Sequence, residues 1–194
     1  MKKSIILISL AAATMIMAAE APAAQDKKAV AMEGVKYIKM LGKELKGNLK
    51  RYLKKDPSGL QAAYFCAKSA DDITKKVNAK YPANIRVYRT ALKYRNPENK
   101  PDATDTKVME QMEAAIKAGS FKKKPMVVDV DGKERVYVPL LTQKACLKCH
   151  GPAEKIDSKV RETIAKKYPD DKAVGFKEGD LRGVIVAEIA PKKK

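Results

Sequence analysis

Met126-Val127-Val128-Asp129-Val130-Asp131-Gly132-Lys133-Glu134-Arg135-Val136-Tyr137-Val138 is the stretch whose reading decides the fold. Two runs rich in β-branched and aromatic residues flank Asp131-Gly132, a two-residue turn whose backbone matches the right-handed twist of an antiparallel hairpin. Ile85 to Arg89 alternates like a further strand, and Gly183 to Ile189 reads as a last one. The remaining segments are helical. A first, long helix is expected from about Gln25 to Leu53, where Ile38, Leu41, Leu45, Leu49 and Leu53 recur every three or four residues. Asp56-Pro57-Ser58, with Gln61 three residues after the serine, opens a second helix to about Lys80. Asn96-Pro97-Glu98-Asn99-Lys100-Pro101-Asp102 is too rich in breakers for anything but an ordered loop. A short helix from Thr104 to Ala118 follows, and another from about Ala153 to Lys167. The class is α+β, an antiparallel sheet flanked by helices.

Directly after the hairpin comes Cys146-Leu147-Lys148-Cys149-His150. C-x-x-C-H is the spacing at which two thiols add to the two vinyl groups of a haem while the adjacent imidazole ligates its iron. A zinc site would need further nitrogen or sulfur ligands, and the remaining thiol, Cys66, lies far upstream. A thioredoxin-type pair would follow a strand of a βαβ unit, whereas Gly151-Pro152 and a helical pattern follow this one. One covalently attached haem c per chain is the expectation, with Cys146 and Cys149 as thioether anchors and His150 as proximal iron ligand.

Residues 1–21 read as an export signal: Lys2 and Lys3 form the positive start, Ile5 to Met17 the apolar middle, and Ala19-Glu20-Ala21 the cleavage site. Residues 22–194 then form a single haem-binding domain, expected in the periplasm and with no later run long enough to span a bilayer. The chain carries 41 Lys and Arg against 23 Asp and Glu, a formal charge of +18. An exported protein meets no nucleic acid, so this charge points to acidic periplasmic redox proteins or an anionic membrane surface, or to a solvated lysine-rich exterior without a specific partner.

His150 is the one histidine in the chain, so the second axial position on iron falls to another residue. The candidates Met32, Met40, Met109, Met112 and Met126 all precede the haem motif, and each is expected to be explained by hydrophobic packing. Cys66 is the cysteine left over once the motif has taken two. It falls in line with Ala62, Ala63, Ala70, Ile73 and Val77, an apolar stripe whose centre of small side chains leaves room for a flat group. Spacing alone leaves it equally a small buried hydrophobe or a ligand. Arg86, Arg89, Lys93 and Arg95 are the candidates to pair with haem propionates.

Cys66 on an early helix, Arg95-Asn96-Pro97 with Asn99 and Pro101-Asp102, the haem motif continuing into Gly151, and Tyr168-Pro169-Asp170-Asp171 leading through Ala173, Gly175-Phe176 and Gly179-Asp180 to Arg182-Gly183 form a pattern. It resembles the small periplasmic monohaem c-type cytochromes with a PAS-like fold and His/Cys haem ligation, a domain formerly of unknown function also found in sensor receptors and kinases. The resemblance covers most of the mature chain. It implies that Cys66 is the distal iron ligand, as a thiolate that lowers the reduction potential. One departure is Ala103-Thr104-Asp105, where the family pattern leads one to expect an aromatic and Glu.

The expected function is low-potential electron transfer by a periplasmic cytochrome. The alternative is a redox or gas sensor acting through a separate partner, in which reduction loosens Cys66 and opens a site for a diatomic ligand. The chain is not expected to be an enzyme, because a peroxidase-like reaction commonly uses a second, distal histidine.

Overall fold

In a computed structural model of the chain, residues 27–192 are described. The export signal over 1–21 and the start of the first helix at Gln25 lie outside the described residues. The elements follow in the order α1 (Lys27–Lys55), α2 (Leu60–Asn78), β1 (Ile85–Thr90), α3 (Ala103–Lys117), β2 (Met126–Val130), β3 (Lys133–Leu141), α4 (Leu147–His150), α5 (Ser158–Lys167) and β4 (Leu181–Ile189). The four strands form one sheet in the order β1-β4-β3-β2, and every neighbouring pair is antiparallel. This is an α+β fold with a sheet flanked by helices and a long first helix, consistent with a PAS-like arrangement.

The hairpin is as the sequence requires. Asp131 and Gly132 adopt φ of 53° and 73°, the left-handed pair that a two-residue turn of this twist needs. Alternation along the strands then sends side chains to two helical layers. Ile85, Val87, Val136, Ile185 and Ala187 meet Val30, Ile38 and Leu41 of α1 on one face. Tyr137, Val184 and Val186 meet Val108, Met109 and Met112 of α3 on the other. Gly34 allows α1 to lie close on the sheet, since a Cβ there would fall 2.5 Å from the side chain of Val136.

Two helix starts differ markedly from the sequence expectation, for local reasons. Gly59, in a left-handed conformation, precedes α2, and the Asp56 carboxylate takes the Gln61 N–H at 2.9 Å, so Asp56 performs the capping assigned to Ser58. The carboxylate pKa of Asp56 is lowered accordingly, chiefly by the Ser58 hydroxyl. The Ala153–Lys167 helix is divided: a 3-10 turn occupies Ala153–Lys155, and α5 starts only where Asp157 accepts the N–H groups of Lys159 and Val160. The breaker-rich loop contains a single 3-10 turn, Pro97–Asn99.

Packing does not explain all the methionines. Met109 and Met112 are wholly buried, but Met32 and Met40, on the outer side of α1, are 66% and 41% exposed. The buried face of α1 is supplied instead by Val30, Gly34, Ile38 and Leu41.

β4 contains the irregularity that shapes the site. Leu140 pairs with Gly183 and Leu141 with Leu181, so Arg182 is an extra residue with no partner on β3. Leu181 and Val184 therefore point to the same face although three positions apart. A bulge of this kind re-aims one side chain and sharpens the local bend. Gly183, at φ 154°, makes it feasible, because a Cβ there would lie 2.5 Å from the Thr90 carbonyl oxygen on β1.

Candidate functional site

The haem motif folds as one tight turn. Cys146 ends a 3-10 turn and Leu147–His150 form α4, so Cys149 stands three residues beyond Cys146 on adjoining helical turns. Cys149 packs beside Ala63 and Leu60 of α2 and Val160 of α5. Burial pushes its thiol up to about 11.

His150 is held by the loop before β4. Its Nδ1 lies 2.8 Å from the Ala173 carbonyl oxygen, so Nδ1 carries the proton and Nε2 is left with its lone pair. The Phe176 N–H donates to the His150 carbonyl at 2.9 Å, and the Gly175 N–H to that of Gly151 at 2.8 Å. Burial lowers the His150 pKa well below the ordinary value, and the charges of Arg182 and Arg95 lower it further. The ring is thus neutral near pH 7, the form that binds a metal.

Arg95 ties these parts together. Its guanidinium donates to Asp171 at 3.0 Å, to the Cys149 carbonyl at 2.6 Å and to the Ala173 carbonyl at 3.3 Å. One side chain therefore fixes the end of α4 against the carbonyl that orients His150. Asp171 also accepts the Ala173 N–H at 2.8 Å.

Cys66 faces the same region from α2. It is exposed, and so is not the small buried hydrophobe that spacing left open. Surrounding protein nevertheless raises its thiol pKa, while Arg89, Arg95 and Arg182 act in the opposite direction. Cys66 is thus accessible yet within electrostatic reach of all three guanidiniums and of Cys149, and these groups border the candidate cleft. Asp71, one turn and a half further along α2, accepts from Arg89 at 3.0 Å and from Asn96 at 2.7 Å, which anchors the Arg95-Asn96-Pro97 loop to the helix.

Two polar groups here lack a counterpart. The Arg89 Nε is buried and has no hydrogen-bond partner. Arg182, re-aimed by the bulge, reaches the Lys93 carbonyl at 3.2 Å and His150 Nε2 at 3.5 Å and lies 5.4 Å from the Phe176 ring centroid, but contacts no carboxylate. Burial, followed by repulsion from Arg95, pushes its pKa down to about 10. A half-buried guanidinium that is repelled by Arg95 and Arg89 and makes no ion pair favours an anionic ligand.

Of the four basic residues proposed from sequence for propionates, Arg89 and Arg95 border the cleft. Lys93 stands at its edge, 5.0 Å from the Phe176 ring centroid. Arg86 belongs elsewhere: it is exposed and stacks 5.0 Å from the Tyr88 ring centroid, because strand alternation puts it opposite Arg89. Arg182 was missed in that role. The available signal was a basic residue followed by Gly at the start of a largely apolar strand. The Ala103-Thr104-Asp105 departure falls outside the cleft as well, since Asp105 binds Tyr88 and Tyr137 beneath α3.

Among solved structures, the chain is similar to the cyanobacterial haem protein Tll0287. The likeness has a TM-score of 0.63 at 24% identity and covers 88% of this chain and 99% of that one. No curated protein matches the chain. The sequence pattern of the Tll0287-like family matches residues 9–190, and the chain belongs to that family.

Proposed function

We propose that this is a periplasmic monohaem c-type cytochrome that transfers electrons at low potential. The observation that carries the reading is the convergence of a C-x-x-C-H turn, an imidazole with its Nδ1 proton given to Ala173, and Cys66 around Arg182, which has no ion-pair partner. The residue set fits a haem. Cys146 and Cys149 would hold it covalently, His150 and Cys66 would ligate its iron, and Arg182 and the orphaned Arg89 Nε would meet its propionates. The bound haem supplies a one-electron Fe(III)/Fe(II) couple, and an anionic sulfur ligand favours the ferric side of that couple. The family membership and the likeness to a haem protein support the reading further. The partner is then a periplasmic redox protein with an acidic surface, in keeping with the chain's +18 charge.

The test is to record oxidised and reduced absorption spectra of the wild type beside Cys66→Ala, and to stain a denaturing gel for haem. Haem retained on the denatured chain supports covalent attachment, and its release overturns it. A changed ferric spectrum in Cys66→Ala supports thiolate ligation, and an unchanged one removes it. If carbon monoxide alters the reduced spectrum and electron exchange is slow, the sensor reading replaces electron transfer.

A further inference from the structure

α1 is amphipathic in an unusual sense: its inner side is apolar and its outer side is a row of one charge. Lys36, Lys39, Lys43, Lys46, Lys50 and Lys54 are spaced by three, four, three, four and four residues, which puts them on one side of a helix with 3.6 residues per turn. All six are exposed. The row runs opposite the side on which Val30, Gly34, Ile38 and Leu41 are buried against the sheet. At 1.5 Å per residue it is about 27 Å long. None of the six takes part in any of the ion pairs found among the described residues. Lys36 alone has a neighbour of note, with its Nζ 6.0 Å from the Tyr37 ring centroid. Met32 lies in line with the row and Met40 at its edge, the two methionines that the core leaves exposed.

We propose that the outer face of α1 docks the protein on the surface of a bilayer rich in anionic phospholipids. Like charges three and four residues apart repel one another along a helix, and an anionic plane relieves that repulsion at every position together. The composition favours lipid over a protein partner. Lysine is depleted at protein–protein interfaces, whose centres are aromatic and arginine-rich, whereas a fluid layer of headgroups needs no shaped pocket and rearranges to meet a straight row of ammonium groups. The flexible, apolar side chains of Met32 and Met40 suit the boundary between headgroups and acyl chains. The apolar face of α1 remains in the core, so attachment is peripheral and electrostatic. This inference does not depend on the haem reading.

The experiment uses the mature haem-loaded protein and vesicles of phosphatidylglycerol mixed with phosphatidylcholine, with phosphatidylcholine alone as comparison. Co-sedimentation is expected with the anionic vesicles only, and is expected to vanish at high salt. Lys43→Glu/Lys46→Glu/Lys50→Glu should lower partitioning by about 100-fold or more. Lys122→Glu/Lys123→Glu/Lys124→Glu changes net charge equally on the exposed loop before β2 and should stay within about threefold of wild type. Circular dichroism establishes that both variants are folded; if the α1 variant is not, the corresponding lysine-to-glutamine triple, with an expected loss of about 10-fold or more, takes its place. Equal loss in the two triples reduces the effect to net charge and overturns the proposal. Absence of wild-type binding to anionic vesicles overturns it too, and retained binding to an acidic protein in that case assigns the face to a protein partner.

Discussion

Beneath α3, one guanidinium faces three carboxylates, whereas around the cleft three guanidiniums share two. In the first cluster Arg135 donates to Asp102, to Asp105 at 3.3 Å and to Glu188 at 2.9 Å, and the hydroxyls of Tyr88 and Tyr137 both donate to Asp105, at 3.0 and 2.8 Å. In the second, Arg89 and Arg95 have Asp71 and Asp171, and Arg182 has neither. The first is closed, with Asp105 only 3% exposed and Tyr137 fully buried. The second is open at Cys66. A polar network that satisfies its own members holds a fold together, while one with a surplus of one charge is prepared for something from outside.

The sharpest way to break the comparison is to remove the centre of the closed cluster. Asp105→Ala leaves two buried hydroxyls and a guanidinium short of an acceptor, and should cost about 3–5 kcal/mol in urea unfolding. A loss below about 1 kcal/mol would mean that the cluster is not the structural element its hydrogen bonds indicate. Gly183→Ala comes next, because the added methyl meets the Thr90 carbonyl in a left-handed backbone. It should cost about 2–3 kcal/mol and, by disturbing the bulge, also alter the haem spectrum. A change in stability with an unaltered spectrum would separate the bulge from the cleft.

Titration distinguishes the regions with smaller effects. Burial and the Asp105 carboxylate raise the pKa of Tyr88, and burial and its hydrogen bond to Asp105 raise that of Tyr137. Both phenols are protonated in folded and unfolded chains below the ordinary value of about 10. Above it the unfolded chain loses protons that the folded one keeps, so this contribution to stability is complete below pH 10 and declines as pH rises beyond it. The Asp102 carboxyl is shifted the other way, since its hydrogen bonds with the Asp105 N–H and Arg135 outweigh burial. Its contribution is present above the ordinary carboxylate range and is lost as pH falls through the lowered folded value. Urea midpoints across pH check both limbs: Tyr88→Phe should flatten the alkaline one and Asp102→Asn the acid one, and unchanged slopes would dissociate these groups from the pH response.

How much of each region could be read in the sequence follows from how local its cause is. The hairpin was legible because Asp131-Gly132 determines its own backbone, and the haem motif because Cys146, Cys149 and His150 are neighbours in the chain. Cys66 emerged by elimination, its role supplied by family resemblance. The closed cluster was not legible: Asp105 and Tyr137 are 32 residues apart, and nothing near Asp105 indicates that its carboxylate is buried. Arg182 was hidden for a different reason. Period-two alternation assigns faces only while the register is unbroken, and the extra residue at Leu140/Leu141 shifts that register where it matters. The exposure of Met32 and Met40 was missed because a methionine in a helix is read as packing by default.

Arg182 gives the smallest expected change in the haem-free protein and the most discriminating one. An ordinary buried ion pair loses about 3–5 kcal/mol when one partner is removed, because the other charge is left uncompensated. Arg135→Met should behave that way, since the buried Asp105 loses its cation and Glu188 keeps only Lys133, at 3.6 Å. Arg182→Met removes a cation whose contacts are a carbonyl, an imidazole nitrogen and an aromatic face, and relieves Arg89 and Arg95 of a like charge. In the haem-free protein its unfolding free energy should therefore change by no more than about 1 kcal/mol, or rise. If Arg182 meets a propionate as proposed, the sign should reverse in the haem-loaded protein. Urea unfolding of both forms measures the two values. Equal losses in Arg182→Met and Arg135→Met without haem would show that the cleft is balanced internally, and the surplus charge would no longer be the mark of a site awaiting an anion.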